Sequence, residues 1–286
     1  MDISKIKQNK SLKELLEFGI INIDKPSGPT SFTVSDKVKK MLGLRKTSHF
    51  GTLDPKVTGV LPIALNRACK FTGFFIGHDK EYVGIMRMHE EVDIEKIKQA
   101  IKEKFTGVIT QLPPVKSRVK RQEREREIKN FELIEQNGKD IVFRTTVQGG
   151  TYIRKLISDL GDYLGIGAHM LELRRTRAGI FTEEKIYTLY DLEKAVNDEA
   201  KLKEMITPGE IISEIYPVVD VKKECIKQIL HGSPIHDAFL VEKPKIKTNQ
   251  RISIFFEDQF LGVFRVVNTK NVFAKSEFTF QPLKQP

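Results

Sequence analysis

Residues 140–165 read DIVFRTTVQGGTYIRKLISDLGDYLG, and within them the apolar residues change their period. Ile141, Phe143, Thr145 and Val147 fall at every second position, as one face of a strand does. After Gly149-Gly150, Leu156, Ile157, Leu160 and Leu164 return at helical spacing, and Gly165 ends the run. A strand that turns directly into an amphipathic helix sets the style of the chain, and the same mixture recurs upstream. Gly19–Asp24 (GIINID) reads as a strand and KPSGPTS as a loop. Thr33–Leu42 reads as a helix with Val34, Val38, Met41 and Leu42 on one face. Residues 48–59 form a compact loop before the strand GVLPIAL. Lys80–His89 reads as another strand, and Asp93 caps a helix presenting Ile94, Ile97, Ile101 and Phe105. Strands and helices in this mixed order imply an α+β fold, a mostly antiparallel mixed sheet with flanking helices.

Past residue 188 the pattern changes. A polar helix over about 189–205 leads to TPGE and Tyr216-Pro217, and then come short strand-like runs, PVVDV, RISIFF and LGVFRVV, between turns. This divides the chain into an N-terminal extension (1–18), a larger domain (19–212) and a small β-rich module (213–286).

The 286 residues carry 48 Lys+Arg against 38 Asp+Glu, a net charge of +10. That excess suits a polyanionic partner, because neutralised phosphates release counterions. Residues 116–129, KSRVKRQEREREIK, include Lys120 and Arg121, and residues 174–177 hold Arg174, Arg175 and Arg177. Both clusters are candidate RNA contacts, although Glu123, Glu125 and Glu127 dilute the first. Cys69 and Cys225 are the only cysteines and lack metal-ligand spacing, so neither a disulfide framework nor a cysteine zinc site is expected. No apolar run is long enough to span a membrane and the N-terminus is too charged for a secretory signal, so a cytoplasmic setting is expected.

The strongest local signal is SHFGTLDPKVTGVLP, residues 48–62. Asp54 precedes Pro55 and is thereby restricted to extended backbone. Gly51 and Gly59 permit close approach of another chain, and His49 offers a donor nearby. Taken alone, such a turn reads more simply as structural, with Asp54 capping neighbouring backbone. Three other places bear on it. Tyr82 in KEYVG offers a flat ring on which a base can stack. Tyr152 and Arg154 open the helix after the double glycine, and Arg154 is a cation that could keep Asp54 ionised. Leu173, beside the arginine cluster, could floor a base pocket. Each also has a plainer reading as core residue or surface cation.

The blocks GIINIDKPSGPTS, HFGTLDPKVTGVLPIALNRACK, KEYVGIMRMH, QLPPVKSRVKRQ, GGTYIRKLISDLG and LRRTRAGIFTE stand in the order seen in the TruB/dyskerin family of pseudouridine synthases, and the resemblance covers residues 19–182. MRMHEEVDIEKI and VKRQ resemble the archaeal and eukaryotic dyskerin branch, and the C-terminal module resembles a PUA domain through HGSPI (231–235). The resemblance implies a catalytic aspartate at Asp54, an aromatic against the target base at Tyr82, uridine contacts at Tyr152 and Leu173, a partner for the acid at Arg154, and nucleotide placement by His49. Lys25 and Pro26 would support the active-site loop. Phe50, where many relatives carry a small residue, puts the geometry ahead of Gly51 in question.

It further implies conversion of uridine to pseudouridine with no metal or cofactor. Targets in rRNA would be chosen by an H/ACA guide RNA, with companion subunits of zinc-ribbon, β-barrel and kink-turn-binding type. The chain ends soon after the PUA-like module without a lysine-rich tail, which fits an archaeal, cytoplasmic protein. Rival readings are a stand-alone enzyme for the tRNA T-loop, a non-catalytic RNA scaffold, and a glycoside-type hydrolase. The last would need a second carboxylate at a defined distance from Asp54, and the blocks offer no clear candidate.

Overall fold

A computed structural model describes residues 1–113 and 120–281. The chain divides into two compact units, 20–205 and 1–19 together with 206–286. Residues 1–18, expected as an extension, thus share a unit with the β-rich module.

The larger unit is built on one sheet. Its strands are β1 (Gly19–Lys25), β2 (Thr47–His49), β3 (Thr58–Leu65), β4 (Lys80–Met88), β5 (Gly107–Gln111), β6 (Arg124–Asn137), β7 (Asp140–Val147), β8 (Ala168–Ala178) and β9 (Phe181–Thr182). They run in the order β1-β3-β8-β4-β7-β6-β5, with β2 added to β3 and β9 to β8. All these pairings are antiparallel except β3 on β8. The α+β class expected from the sequence is the one found.

Alternation decides which side chains enter the core. On β7, Ile141, Phe143, Thr145 and Val147 are buried, and on β4 Lys80, Tyr82, Gly84, Met86 and Met88 are. The helices Ile94–Lys104 and Ile153–Tyr163 pack on the sheet and bury Ile97, Ile101, Leu156, Ile157 and Leu160. Each such side chain contributes roughly 1.5–3 kcal/mol. Asp93 caps the first helix through Glu95 N, as its position implied. The helix expected over 189–205 is two, Leu189–Ala195 and Glu199–Met205. Asp198 starts the second, its side chain accepting from Lys201 N, so a new cap interrupts what reads as one polar run.

The other unit contains a five-stranded sheet whose core includes Val219, Ile229, Ile235, Ile252, Ile254, Phe264 and Phe273. In the HGSPI turn, Gly232 takes φ +89 and its N–H returns to Ile229 O, closing the helix Ile226–Leu230. The N-terminal segment contributes Phe18, fully buried and stacked on Phe260 at 5.9 Å.

Candidate active site

Asp54 lies between β2 and β3 on a loop whose backbone is held at almost every step. Phe50 N donates to Pro62 O, Gly28 N to Pro55 O, and Val57 N to Asp54 O. Ser31 Oγ donates to Leu53 O and accepts from Leu53 N, at 3.0 and 2.8 Å. Lys25, wholly buried, donates from Nζ to Pro26 O, Pro55 O and Val57 O at 2.8–2.9 Å. Burial lowers the pKa of this ammonium, and the negative charge of Asp54 opposes the shift. A lysine thus fixes the chain just beyond Asp54 with two bonds of the stronger, charge-assisted kind, and its own strand end with a third.

A second buried cation holds the other side of the loop. Arg175, 1% exposed, donates from Nε to Val60 O at 2.8 Å and from Nη2 to Gly51 O at 3.0 Å. The strands that permit this meet at Gly59, where φ is +99 and a side chain would strike Arg175 O at 2.2 Å. Arg175 is the cross-strand neighbour of Tyr82, and Leu173 that of Gly84. Tyr82 and Leu173 are 8% and 7% exposed, so both belong to the inner face of the sheet. Gly84 is needed there, because a β-carbon would lie 2.8 Å from Phe143 and 3.0 Å from Leu173.

Over this base Asp54 remains open to solvent. Its Oδ2 accepts from Arg154 Nη1 at 3.3 Å, with the side chains 55% and 68% exposed. Such a pair is worth about 0–1 kcal/mol, so it does little for stability and leaves the acid accessible. Arg154 is in the first turn of the helix Ile153–Tyr163, and half-buried Tyr152 is its N-cap residue. His49, half-buried at the end of β2, shares a hydrogen bond with Thr52 at 3.1 Å. Burial, then the charge of Arg175, lowers its pKa and so favours the uncharged ring. Behind the loop, Lys80 donates to Ile76 O and His78 O, both at 2.5 Å. Burial first, then Arg175, brings its pKa down to about 8.

The family described as TruB family pseudouridylate synthase (N terminal domain) matches residues 39–153, and the tRNA pseudouridylate synthase B C-terminal domain matches residues 154–213. A protein of Methanopyrus kandleri named probable tRNA pseudouridine synthase B is 42% identical over 255 residues, 87% of this chain and 75% of the relative. This chain belongs to the TruB family. It is therefore a pseudouridine synthase, an isomerase acting on RNA. A protein of Methanocaldococcus jannaschii with the same name is 45% identical over 233 residues, 79% of this chain and 69% of its own length. Among solved structures, the TruB-family chain is similar to one in a Cbf5-Nop10-Gar1 complex, with TM-score 0.88 and 37% identity over 96% of this chain and 89% of that one. It is also similar to one in an H/ACA RNP bound to a substrate RNA containing 2'-deoxyuridine, with TM-score 0.86, 35% identity and the same coverage.

Two residues expected on the RNA-binding face of this TruB-family enzyme are otherwise engaged. Arg175 is enclosed and spends its donors on the loop. Arg174 pairs with Asp24 at 2.9 Å and with Glu183 at 2.6 Å, so its charge is already neutralised by two carboxylates. Alternation explains the split: Arg175 shares parity with Leu173 and points inward, and Arg174 points out. The described part of the basic stretch, 120–129, is likewise divided. Residues 116–119 lie outside the described residues, and β6 begins at Arg124. Within it Arg126 folds back onto Glu125 O, and Lys129 pairs with Asp79. Lys120 and Arg121 are exposed. Phe50 does not crowd the loop. It is 1% exposed and stacks face to face on Phe75 at 4.5 Å, turned into the core. The sequence gives no sign of the roles of Ser31 and Gln111, whose backbone partners lie 22 and 41 positions away, or of Lys80, whose buried ammonium turns back onto Ile76 O and His78 O.

Proposed function

We propose that Asp54 is the catalytic carboxylate of this enzyme and that its targets are uridines chosen by an H/ACA-type guide RNA. The observation that carries the first part is the contrast between an exposed acid, paired with exposed Arg154, and the buried cations that fix the backbone on either side of it. The guided reading is supported by similarity, at TM-scores of 0.88 and 0.86, to chains in a Cbf5-Nop10-Gar1 complex and an H/ACA RNP. RNA and companion subunits of zinc-ribbon, β-barrel and kink-turn-binding type are the proposed partners, rRNA is the proposed guided substrate, and the PUA-like module is the proposed grip on the guide.

The target nucleotide must leave its helix, at a cost of a few kcal/mol that phosphate contacts offset. Lys120 and Arg121 are the proposed contacts of this kind. Asp54 then assists cleavage of the ribose C1′–uracil N1 bond, as nucleophile toward the sugar or as base toward a ribose proton. The freed uracil turns and bonds to C1′ through C5; C5 gives up its proton and N1 gains one, so nothing is consumed. Tyr82 is proposed to stack on the base, with Tyr152 and Leu173 enclosing it and His49 placing the nucleotide. Retention of uracil in an apolar pocket keeps water from the reactive carbon.

Single-turnover conversion by Asp54→Asn tests the assignment. The rate falls below detection with folding and RNA binding intact; near-normal conversion would refute it. The names of the curated relatives favour a second reading, direct action on tRNA. Conversion of bare tRNA against a guide-paired substrate separates the two, and unchanged uridine in both would favour a scaffold.

A further inference from the structure

The weak surface pair between Arg154 and Asp54 cannot place the arginine by itself. Something must fix the start of the helix that carries it, and the incoming chain is Gln148-Gly149-Gly150-Thr151-Tyr152. Its first part is tied to β6: Gln148 N donates to Glu127 O at 2.8 Å, and Glu127 N donates to the Gln148 side-chain oxygen at 3.2 Å. Thr151 N and Oγ1 both donate back to Gln148 O. The turn is therefore anchored where it leaves the sheet.

At its far end, the threshold of the helix, a side chain from β5 grips the backbone. Gln111 closes β5 and is 2% exposed. Its Nε2 donates to Tyr152 O at 3.2 Å, and its Oε1 accepts from Tyr152 N at 3.0 Å. A primary amide has one donor edge and one acceptor edge in a single plane, and here both engage the same residue, as a neighbouring strand would. Tyr152 is in extended conformation, at φ −94 and ψ 97, so the pairing resembles one rung of a ladder added beside β5. Tyr152 O also accepts the first helical bond, from Leu156 N at 2.9 Å. The amide thus grips the residue from which the helix starts, two positions before Arg154. Asn is too short to span both groups, and Leu has the size without the pairing.

We propose that Gln111 is a positioning residue: it fixes Tyr152 against the end of β5 and so sets where Arg154 meets Asp54. The inference rests on the roles given above to Asp54 and Arg154. A displacement near 1 Å at a catalytic group costs on the order of a hundredfold in rate. Gln111→Leu is expected to lower the single-turnover rate about 10- to 100-fold. RNA affinity should stay within about twofold of wild type, since no phosphate-facing charge changes. Gln111→Asn, which keeps a polar amide for folding, should show the same split between rate and affinity.

The deciding measurement is a double-mutant cycle with Arg154→Ala. If Gln111 works through the arginine, Gln111→Leu slows the Arg154→Ala enzyme much less than it slows wild type. A full second loss, multiplying the first, would overturn the proposal, as would a wild-type rate for both Gln111 variants. An Arg154→Ala enzyme running at wild-type speed would remove the acid–arginine reading itself and the inference with it. A slow Arg154→Ala beside fast Gln111 variants would leave that reading standing and remove only Gln111.

Discussion

Arg175 separates two accounts of the arginine cluster, and Arg175→Lys tests them with the charge retained. The wild-type guanidinium reaches Val60 O and Gly51 O from different nitrogens, 2.8 and 3.0 Å away. A lysine on a shorter, single-headed stem cannot fork across both, so at least one buried carbonyl loses a charged donor. Hydrogen bonds to charged groups contribute about 1.5–3 kcal/mol each, which sets the expected loss of stability for one bond. Gly51 is the more exposed of the two ends, and release there frees the loop ahead of Asp54. Movement of about 1 Å then costs on the order of a hundredfold in rate. The assay is single-turnover release of the C5 hydrogen from labelled RNA, with affinity measured in parallel and urea melts giving stability. A slow enzyme with near-normal affinity fits the bracket. Weakened RNA binding with an undiminished rate would refute it and restore Arg175 as a phosphate contact.

Lys80 makes stability depend on pH in the alkaline range. Its pKa is about 8 in the folded protein against an ordinary 10.5, so between these values the unfolded chain binds the extra proton and stability rises with pH, by about 3 kcal/mol at roughly 1.4 per pH unit. Lys80→Met should lose that rise in melts from pH 8 to 10.5, and curves parallel to wild type would contradict it. Lys120→Ala with Arg121→Ala should flatten the slope of log affinity against log salt by about 1.4–1.8, if each meets one phosphate, without changing the rate at saturating RNA. Arg174→Ala should leave that slope as it was, because its charge already faces Asp24 and Glu183; a slope reduced by about 1 would place Arg174 on the RNA after all.

Local rules made some of this legible and left the rest out of reach. Asp93 with its following Ile94, Ile97 and Ile101 announces a helix because cap and periodicity both act within a few residues. Ile141 to Val147 announce a strand for the same reason. The contact of Arg154 with Asp54 spans a hundred positions; the residues offered it as one pairing among plainer ones, and the ordered motif blocks gave it weight. The burial of Arg175 did have a signal: once residues 168–178 are read as a strand, parity with Leu173 turns it inward. A run of arginines draws attention to charge and away from alternation. Gln111 had no such signal. An uncharged polar residue at a strand end reads as solvated, and its partner Tyr152 is 41 positions away.

Around the Asp54 loop the placement of charge inverts the usual expectation for a basic, RNA-modifying enzyme. Cations commonly gather on the surface and acids are sheltered, yet here Lys25, Lys80 and Arg175 are buried and Asp54 is open. Burying an ammonium or guanidinium is costly unless its donors are met, and these three meet backbone carbonyls, which no side-chain motion can withdraw. The cost falls on the scaffold, and the carboxylate meets an exposed, easily displaced partner in Arg154. An acid that changes partners during a reaction, as we propose for Asp54, needs a weak tie of its own and a rigid backbone beneath it. A strong buried ion pair at Asp54 would supply the opposite, a stable acid that could not exchange arginine for ribose.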